Sequence, residues 1–232
     1  MRSCALDVVD FHSHILPCAD HGSYSIKTSI LQIGFAKKNS VSRIIATPHF
    51  YPHMHTLKVF LNMRTASANT LNSYTIEEDA PAVKLGAEVL LCEGLEKFSG
   101  LPELCLQGTN TILLELPFVE FHKEYVKTTL RLMDKGYDVI LAHADRYRKD
   151  NIQKFLDSGV KKLQLNASSL VGPIRRKHLF DWAASGYVVA IGSDIHGSDK
   201  NAYKRFSKVL KKSNPDISYI KKRSDEIWDK MT

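Results

Sequence analysis

His12 and His14 stand two residues apart in Asp-Phe-His-Ser-His, at the end of a short apolar run over 6–11. Side chains alternate along an extended chain, so both imidazoles face one side, the arrangement two ligands of one metal ion need. The same alternation returns late in the chain as Asp194-Ile195-His196. Between them lie His21 in Asp-His-Gly, His49 in Thr-Pro-His, Glu88 in Gly-Ala-Glu, Glu115 in Leu-Glu-Leu-Pro and His143 in Ala-His-Ala-Asp-Arg. Glu88 and Glu115 interrupt apolar runs, and a lone carboxylate buried there costs several kcal/mol unless it is paired or metal-bound. These are nine candidate ligands, six histidines and three carboxylates. One zinc takes three or four protein ligands, so nine suffice for two or three ions. Imidazole and carboxylate without thiolate suit manganese, iron or zinc and disfavour Cu(I) or iron–sulfur clusters. Clustered divalent ions are the apparatus for attack by metal-bound hydroxide on a phosphate or ester.

Such residues need elements that bring them together. Extended runs are expected over 6–11, 42–47, 83–91, 111–116, 138–142, 162–165 and 187–192. Helical patterns follow them. Ser23 is placed to cap a helix whose face is Ile26, Ile30 and Ile33, and Leu57, Phe60, Leu61 and Met63 mark another. A short helical stretch is expected near 95–104 and helices over 122–135, 151–158 and 175–185, the last three ended by Gly136, Gly159 and Gly186. Two basic helices close the chain around Asn214-Pro215. Strict alternation of strand and helix implies a parallel sheet covered by helices. Seven such units fit a barrel, and an open doubly wound sheet shares the local grammar. Every strand but the sixth, which ends in Asn166, carries a candidate ligand at or just past its C-terminal end, where barrel active sites gather.

The 232 residues suit one domain over 1–232, with 44% hydrophobic and 25% charged residues. The longest stretch free of Asp, Glu, Lys and Arg, 44–57, is too short to span a bilayer, and Asp7 and Asp10 break any apolar leader. A cytoplasmic protein is expected. Cys4, Cys18, Cys92 and Cys105 show neither Cys-x-x-Cys nor an arginine six positions on, so they read as small buried hydrophobes and no phosphatase cysteine loop is present. The net charge of +7 is concentrated over 200–223, where nine Lys or Arg face one acid. That face reads as a solvated helical surface able to contact an anionic surface. It lacks the interleaved aromatics of a nucleic-acid platform.

The ordered motifs His-Ser-His-Ile-Leu-Pro, Asp-His-Gly, Ile-Ala-Thr-Pro-His, Gly-Ala-Glu, Leu-Glu-Leu-Pro, Ala-His-Ala-Asp-Arg-Tyr and Gly-Ser-Asp-Ile-His span 10–196. In this the chain resembles the PHP (polymerase and histidinol phosphatase) superfamily. Within it, the chain looks most like the bacterial tyrosine-protein phosphatases of capsule and exopolysaccharide operons. The resemblance implies a distorted (β/α)7 barrel and a site of two to three divalent ions, manganese above iron or zinc. It implies that His12, His14, Glu88 and Asp194 hold one ion, and that Glu88 bridges to a second held with Glu115 and His143. A third would lie with His21, His49 and His196. It implies that Arg146 grips the substrate phosphate, and that Lys200 stands nearest a second expected arginine. The implied partner is a phosphotyrosine protein, a bacterial tyrosine kinase, with no nucleic acid. The family reads Asp-Asp-Gly where this chain has Asp20-His21-Gly22. Histidine removes one negative charge from the third position, unless Asp20 takes the place. A PHP phosphatase acting on histidinol phosphate or a nucleotide, a weakened metal- or anion-binding protein, and a nucleic-acid-processing enzyme are the alternatives. Tyr51, Phe118 and Tyr147 are candidate walls for an aromatic ring.

Overall fold

A computed structural model describes residues 6–74, 79–171 and 176–232; Cys4 and residue 175, the expected start of a helix, lie outside them. Among the described residues nine strands form in chain order: β1 Leu6–Ser13, β2 Val41–Ala46, β3 His49–Phe50, β4 Ala82–Leu85, β5 Glu88–Leu90, β6 Thr111–Glu115, β7 Asp138–Leu141, β8 Leu163–Asn166 and β9 Val188–Gly192. The helices are α1 Ile26–Lys38, α2 Leu57–Tyr74, α3 Leu101–Leu104, α4 Lys123–Asp134, α5 Lys149–Asp157, α6 Lys177–Ala184, α7 Ala202–Leu210 and α8 Pro215–Lys230.

All pairings are parallel. One sheet runs β1-β2-β4 and the other β3-β5-β6-β7-β8-β9. The two sheets are successive parts of the same strands. The chain breaks between β2 and β3 at Thr47-Pro48, because proline has no N–H to give the ladder, and between β4 and β5 at Gly86-Ala87. The Glu88 N–H donates to the Pro48 carbonyl at 3.1 Å, carrying the pairing across the break. Seven strands therefore follow one another, and the last returns to the first. The Asp194 N–H donates to the His12 carbonyl at 2.9 Å and the His14 N–H to the Ile195 carbonyl at 3.3 Å. The result is a distorted (β/α)7 barrel.

Its interior explains why the site sits at one end. Val9, Phe11, Ile45, Leu113, Ile140 and Val189 form a buried cluster from five strands, joined by Ile227, Trp228 and Met231. The carbonyls of Trp228 and Met231 accept from the Lys84 ammonium, and Gly108 lies against Thr232. The C-terminus thus plugs the end where β4 and β6 begin. The opposite end is left to polar residues: Leu113 is in the inner cluster, and Glu115, two residues on and on the same face of β6, reaches the site.

Helix α1 is capped by Ser25, whose hydroxyl accepts from the Thr28 N–H, and not by Ser23, which shares a 2.8 Å hydrogen bond with Ser29. The buried face of α1 is Ser29, Gln32, Ile33 and Ala36, with Ile30 exposed. Polar residues point inward here because α1 supports the site's loops: the Gln32 amide donates to the carbonyls of Gly22 and Gly197. Asn214 caps α8, accepting from the Asp216 N–H at 2.7 Å. Lys204, Lys208, Lys211, Lys212 and Lys222 are exposed on α7, the turn after it and α8. No helix among the described residues is long and apolar enough to cross a membrane.

Candidate metal centre

The strand ends converge. The Nε2 atoms of His12 and His14 lie 3.1 Å apart, confirming that the two-residue spacing aims both rings at one point. The Glu88 carboxylate sits at the centre, fully buried: Oε2 is 3.0 Å from His12 Nε2, 3.2 Å from His14 Nε2 and 3.1 Å from His49 Nδ1, and Oε1 is 2.6 Å from His143 Nε2. Glu115 closes one side, 3.5 Å from His49 Nδ1 and 3.7 Å from His143 Nε2. Asp194 closes the other, with Oδ1 3.5 Å from His14 Nε2 and 3.4 Å from His196 Nδ1. Among the described residues three groups of donor atoms are compact enough to hold an ion: His12, His14 and Asp194; His49, Glu88 and Glu115; and His14, His49 and His196.

His21 lies at the rim. Its ring stacks on His49 at 4.9 Å and 10°, and lies 4.9 Å from the His196 ring. Asp20 turns the other way. It accepts from His14 Nδ1–H at 2.6 Å, from the His49 N–H at 3.0 Å and from the Gly22 N–H at 2.8 Å. It therefore orients His14 so that Nε2 faces the centre. Gly22 is required there, since a Cβ would stand 2.0 Å from His14 Cβ.

Electrostatics follow from packing so many imidazoles around one buried carboxylate. Burial alone would push the His12 pKa down, but the Glu88 and Asp194 carboxylates hold it up at about 9. His14 is likewise raised, against its burial, by Asp20 and Glu88. Burial would raise the Glu88 carboxyl, and the His12 and His143 imidazoles bring it well below its ordinary range. Burial, aided by His14, lowers His196 to about 4, leaving it neutral near pH 7.

Donor chemistry fits divalent cations. Among the described residues His49 Nδ1, Glu115 Oε2, Asp194 Oδ1 and His143 Nδ1 are buried without a hydrogen-bond partner. Buried polar atoms are normally satisfied, and the first three of these orphans belong to the donor groups just described. Two candidate ligands also adopt left-handed backbone: His143 has φ 29° and Asp194 φ 50°. Such conformations cost on the order of 1–3 kcal/mol each and persist only where surroundings impose them.

The strand that supplies no candidate ligand imposes much of this. Gln164 Oε1, on β8, lies 3.0 Å from His12 Nδ1 and accepts from the His143 N–H at 2.6 Å. The Gln164 amide donates to Asn166, and the Asn166 amide donates to Asp194 Oδ2 at 2.7 Å. Sequence reasoning passed over Gln164; its signal is a polar residue in the otherwise buried run Leu-Gln-Leu-Asn. Asp10, at the start of the same array, accepts from the Ser193 N–H at 2.7 Å and the Ser193 hydroxyl at 2.6 Å. It fixes the backbone leading into Asp194.

A cleft of about 460 Å3 opens above the donors, lined by His21, His49, Tyr51, Glu115, Phe118, Arg146, Asp194 and His196. The Arg146 guanidinium lies 3.4 Å from Asp194 Oδ2 and 4.9 Å from the Phe118 ring centre. Tyr51 stacks on His49 at 5.1 Å. Tyr147 is outside this cleft, its hydroxyl bonded to the Leu116 backbone. Lys200 is exposed in the turn before α7 and is not among the cleft's walls. His53 and His55 flank Tyr51, and His178 packs edge-on against Trp182.

Residues 8–226 match the model of the capsular polysaccharide synthesis CpsB/CapC family. The chain belongs to that family. The tyrosine-protein phosphatase YwqE of Bacillus subtilis is 33% identical over 147 residues, 61% of this chain and 56% of YwqE's own length. The chain thus aligns with little more than half of that relative. CapC of Staphylococcus aureus is 27% identical over 208 residues, 82% of this chain and 77% of CapC. A solved structure from a pair, YwqE of Bacillus subtilis and CpsB of Streptococcus pneumoniae, described as metal-dependent tyrosine phosphatases, superposes with a TM-score of 0.76 at 23% identity. It covers 97% of this chain and 95% of that one, and so shows a shared fold.

Proposed function

We propose that this CpsB/CapC chain is a metal-dependent phosphoester hydrolase acting on phosphotyrosine in a protein, by inference a tyrosine kinase of polysaccharide synthesis. The observation that carries it is the convergence of nine imidazoles and carboxylates, with orphaned buried donors, beneath a cleft walled by an arginine and two aromatic rings. His12, His14, His49, Glu88, Glu115, His143, Asp194 and His196, with His21 at the rim, would hold two to three ions, manganese by preference. When bound, divalent ions lower the pKa of water and neutralise phosphoryl charge.

The chain's own residues do the rest. The planar Arg146 guanidinium offers paired N–H donors to the phosphoryl oxygens, a geometry lysine lacks. Its contact with Asp194 holds it at the mouth of the donor cluster. Tyr51 and Phe118 offer faces for the substrate ring. A tyrosine phenolate leaves with a conjugate-acid pKa of about 10, so no strong proton donor is required. Cys18, Cys92 and Cys105 do not line the cleft, which removes them as nucleophiles. Contact with an anionic surface through 200–223 belongs to the same reading, carried by the exposed lysines of α7 and α8.

The test is phosphate release from p-nitrophenyl phosphate and from phosphotyrosine peptides, with and without chelator, beside histidinol phosphate and nucleotides. Chelator-sensitive turnover favouring phosphotyrosine peptides is expected. Preference for a small phosphate would replace the protein substrate, and activity that survives exhaustive chelation would end the metal reading.

A further inference from the structure

A second cavity, of about 190 Å3, adjoins the metal cleft and shares two of its walls, Phe118 and Arg146. Its remaining lining is mostly apolar and includes Leu116, Val119, Phe121 and Phe155. Tyr147 separates its floor from the site: the ring stacks on Phe118 at 5.1 Å, and the hydroxyl is tied to the Leu116 backbone. Two features mark the cavity as more than a packing gap. Phe118 and Val119 are large apolar residues left 59% and 65% exposed on its lip. Among the described residues its lining carries two cations, Arg146 and Arg148, and no carboxylate. Glu120 and Asp150, exposed nearby in sequence, are not among its walls.

We propose that this cavity is a specificity subsite for the peptide segment beside the phosphotyrosine, taking one apolar side chain while Arg148 pairs with an acidic residue next to it. The inference rests on the phosphatase reading and deepens it. Continuity with the cleft sets the geometry: a chain whose phosphotyrosine ring lies against Phe118 has its neighbouring residues over Val119 and Phe121. Charge complementarity sets the chemistry, since an acidic segment meets Arg148 and the lining offers no opposing acid. A basic or wholly polar flank gains neither contact.

The experiment uses the intact metal-loaded protein and a set of phosphotyrosine peptides carrying Leu and Glu, or Ala and Lys, at the positions flanking the phosphotyrosine. The readout is kcat/KM for each peptide relative to p-nitrophenyl phosphate. A second readout is the Kd of the matching non-hydrolysable phosphonate peptides. Leu and Glu flanks should raise the ratio about tenfold or more over Ala and Lys, the scale of burying one apolar side chain. V119D and R148E, both at exposed positions, should shrink that preference at least severalfold in both readouts. Phosphatase activity blind to the flanks, or preference unaltered in both variants, would overturn the subsite alone. Absence of turnover on every phosphotyrosine compound, with metal bound, would overturn the phosphatase reading and the subsite with it.

Discussion

Removing metal should make the protein's stability fall as pH rises from neutrality, because two buried imidazoles are then protonated against Glu88. In the metal-free chain the His12 pKa stands at about 9 against an ordinary 6.5. A folded value above the unfolded one stabilises fully below pH 6.5, and the gain is lost as pH climbs through 9. That gap is worth about 3 kcal/mol, a large share of a typical domain's stability. His14, also raised, acts in the same direction. Other shifted groups leave this window clear. Asp10, raised by burial to about 6, and His196, lowered to about 4, exert their effects below pH 6.5. Cys105, pushed up by burial to about 12 from 9.0, acts above it. Urea denaturation of chelator-treated protein at steps between pH 6.5 and 9 should show stability declining by about 3 kcal/mol or more. E88Q removes the main group that holds His12 up and should flatten the slope. Stability that is level or rising over this range, or an equal slope in E88Q, would refute the electrostatic reasoning.

Three more outcomes follow from the geometry. H143A and D194A should each lose at least about a hundredfold in kcat on p-nitrophenyl phosphate while keeping a cooperative unfolding transition. Q164A should weaken metal binding about 10- to 100-fold by calorimetry, since it frees His12 Nδ1 and the His143 N–H. Rescue in Q164E, which keeps the acceptor oxygen, separates orientation from packing. D20N should weaken metal binding in the same range by loosening the His14 ring, and unchanged affinity would show that Asp20 does not orient it.

Much of the fold was legible because local chemistry and global topology agree. Gly136, Gly159 and Gly186 all adopt positive φ just past α4, α5 and α6, as their places in the sequence imply. The interruptions were harder to see. Pro48 does stop β2, yet the chain stays extended through His49–Phe50 and pairs again, a consequence of partners 39 residues away. Ser23 and Ser25 are equally good caps by residue type, and only the path of the loop decides between them. The candidate ligands were legible because each is a local anomaly, a carboxylate or imidazole at the end of an apolar run. Gln164 and Asn166 are uncharged polar residues in a buried run, a signal that names no partner, so their hold on His12, His143 and Asp194 emerges only in three dimensions. Asp20 is similar: its place behind His14 depends on the turn through Gly22. The cavity beside Phe118 was invisible, since its walls come from the loop after β6, the turn after β7 and the helices α4 and α5.

Elemental analysis of the purified chain, coupled to turnover of a phosphotyrosine peptide before and after exhaustive chelation, tests the centre most directly. Two to three divalent ions per chain, with activity lost on chelation and restored by manganese, is the predicted result. A chain that retains no metal, or that hydrolyses the peptide equally well without it, would contradict the account.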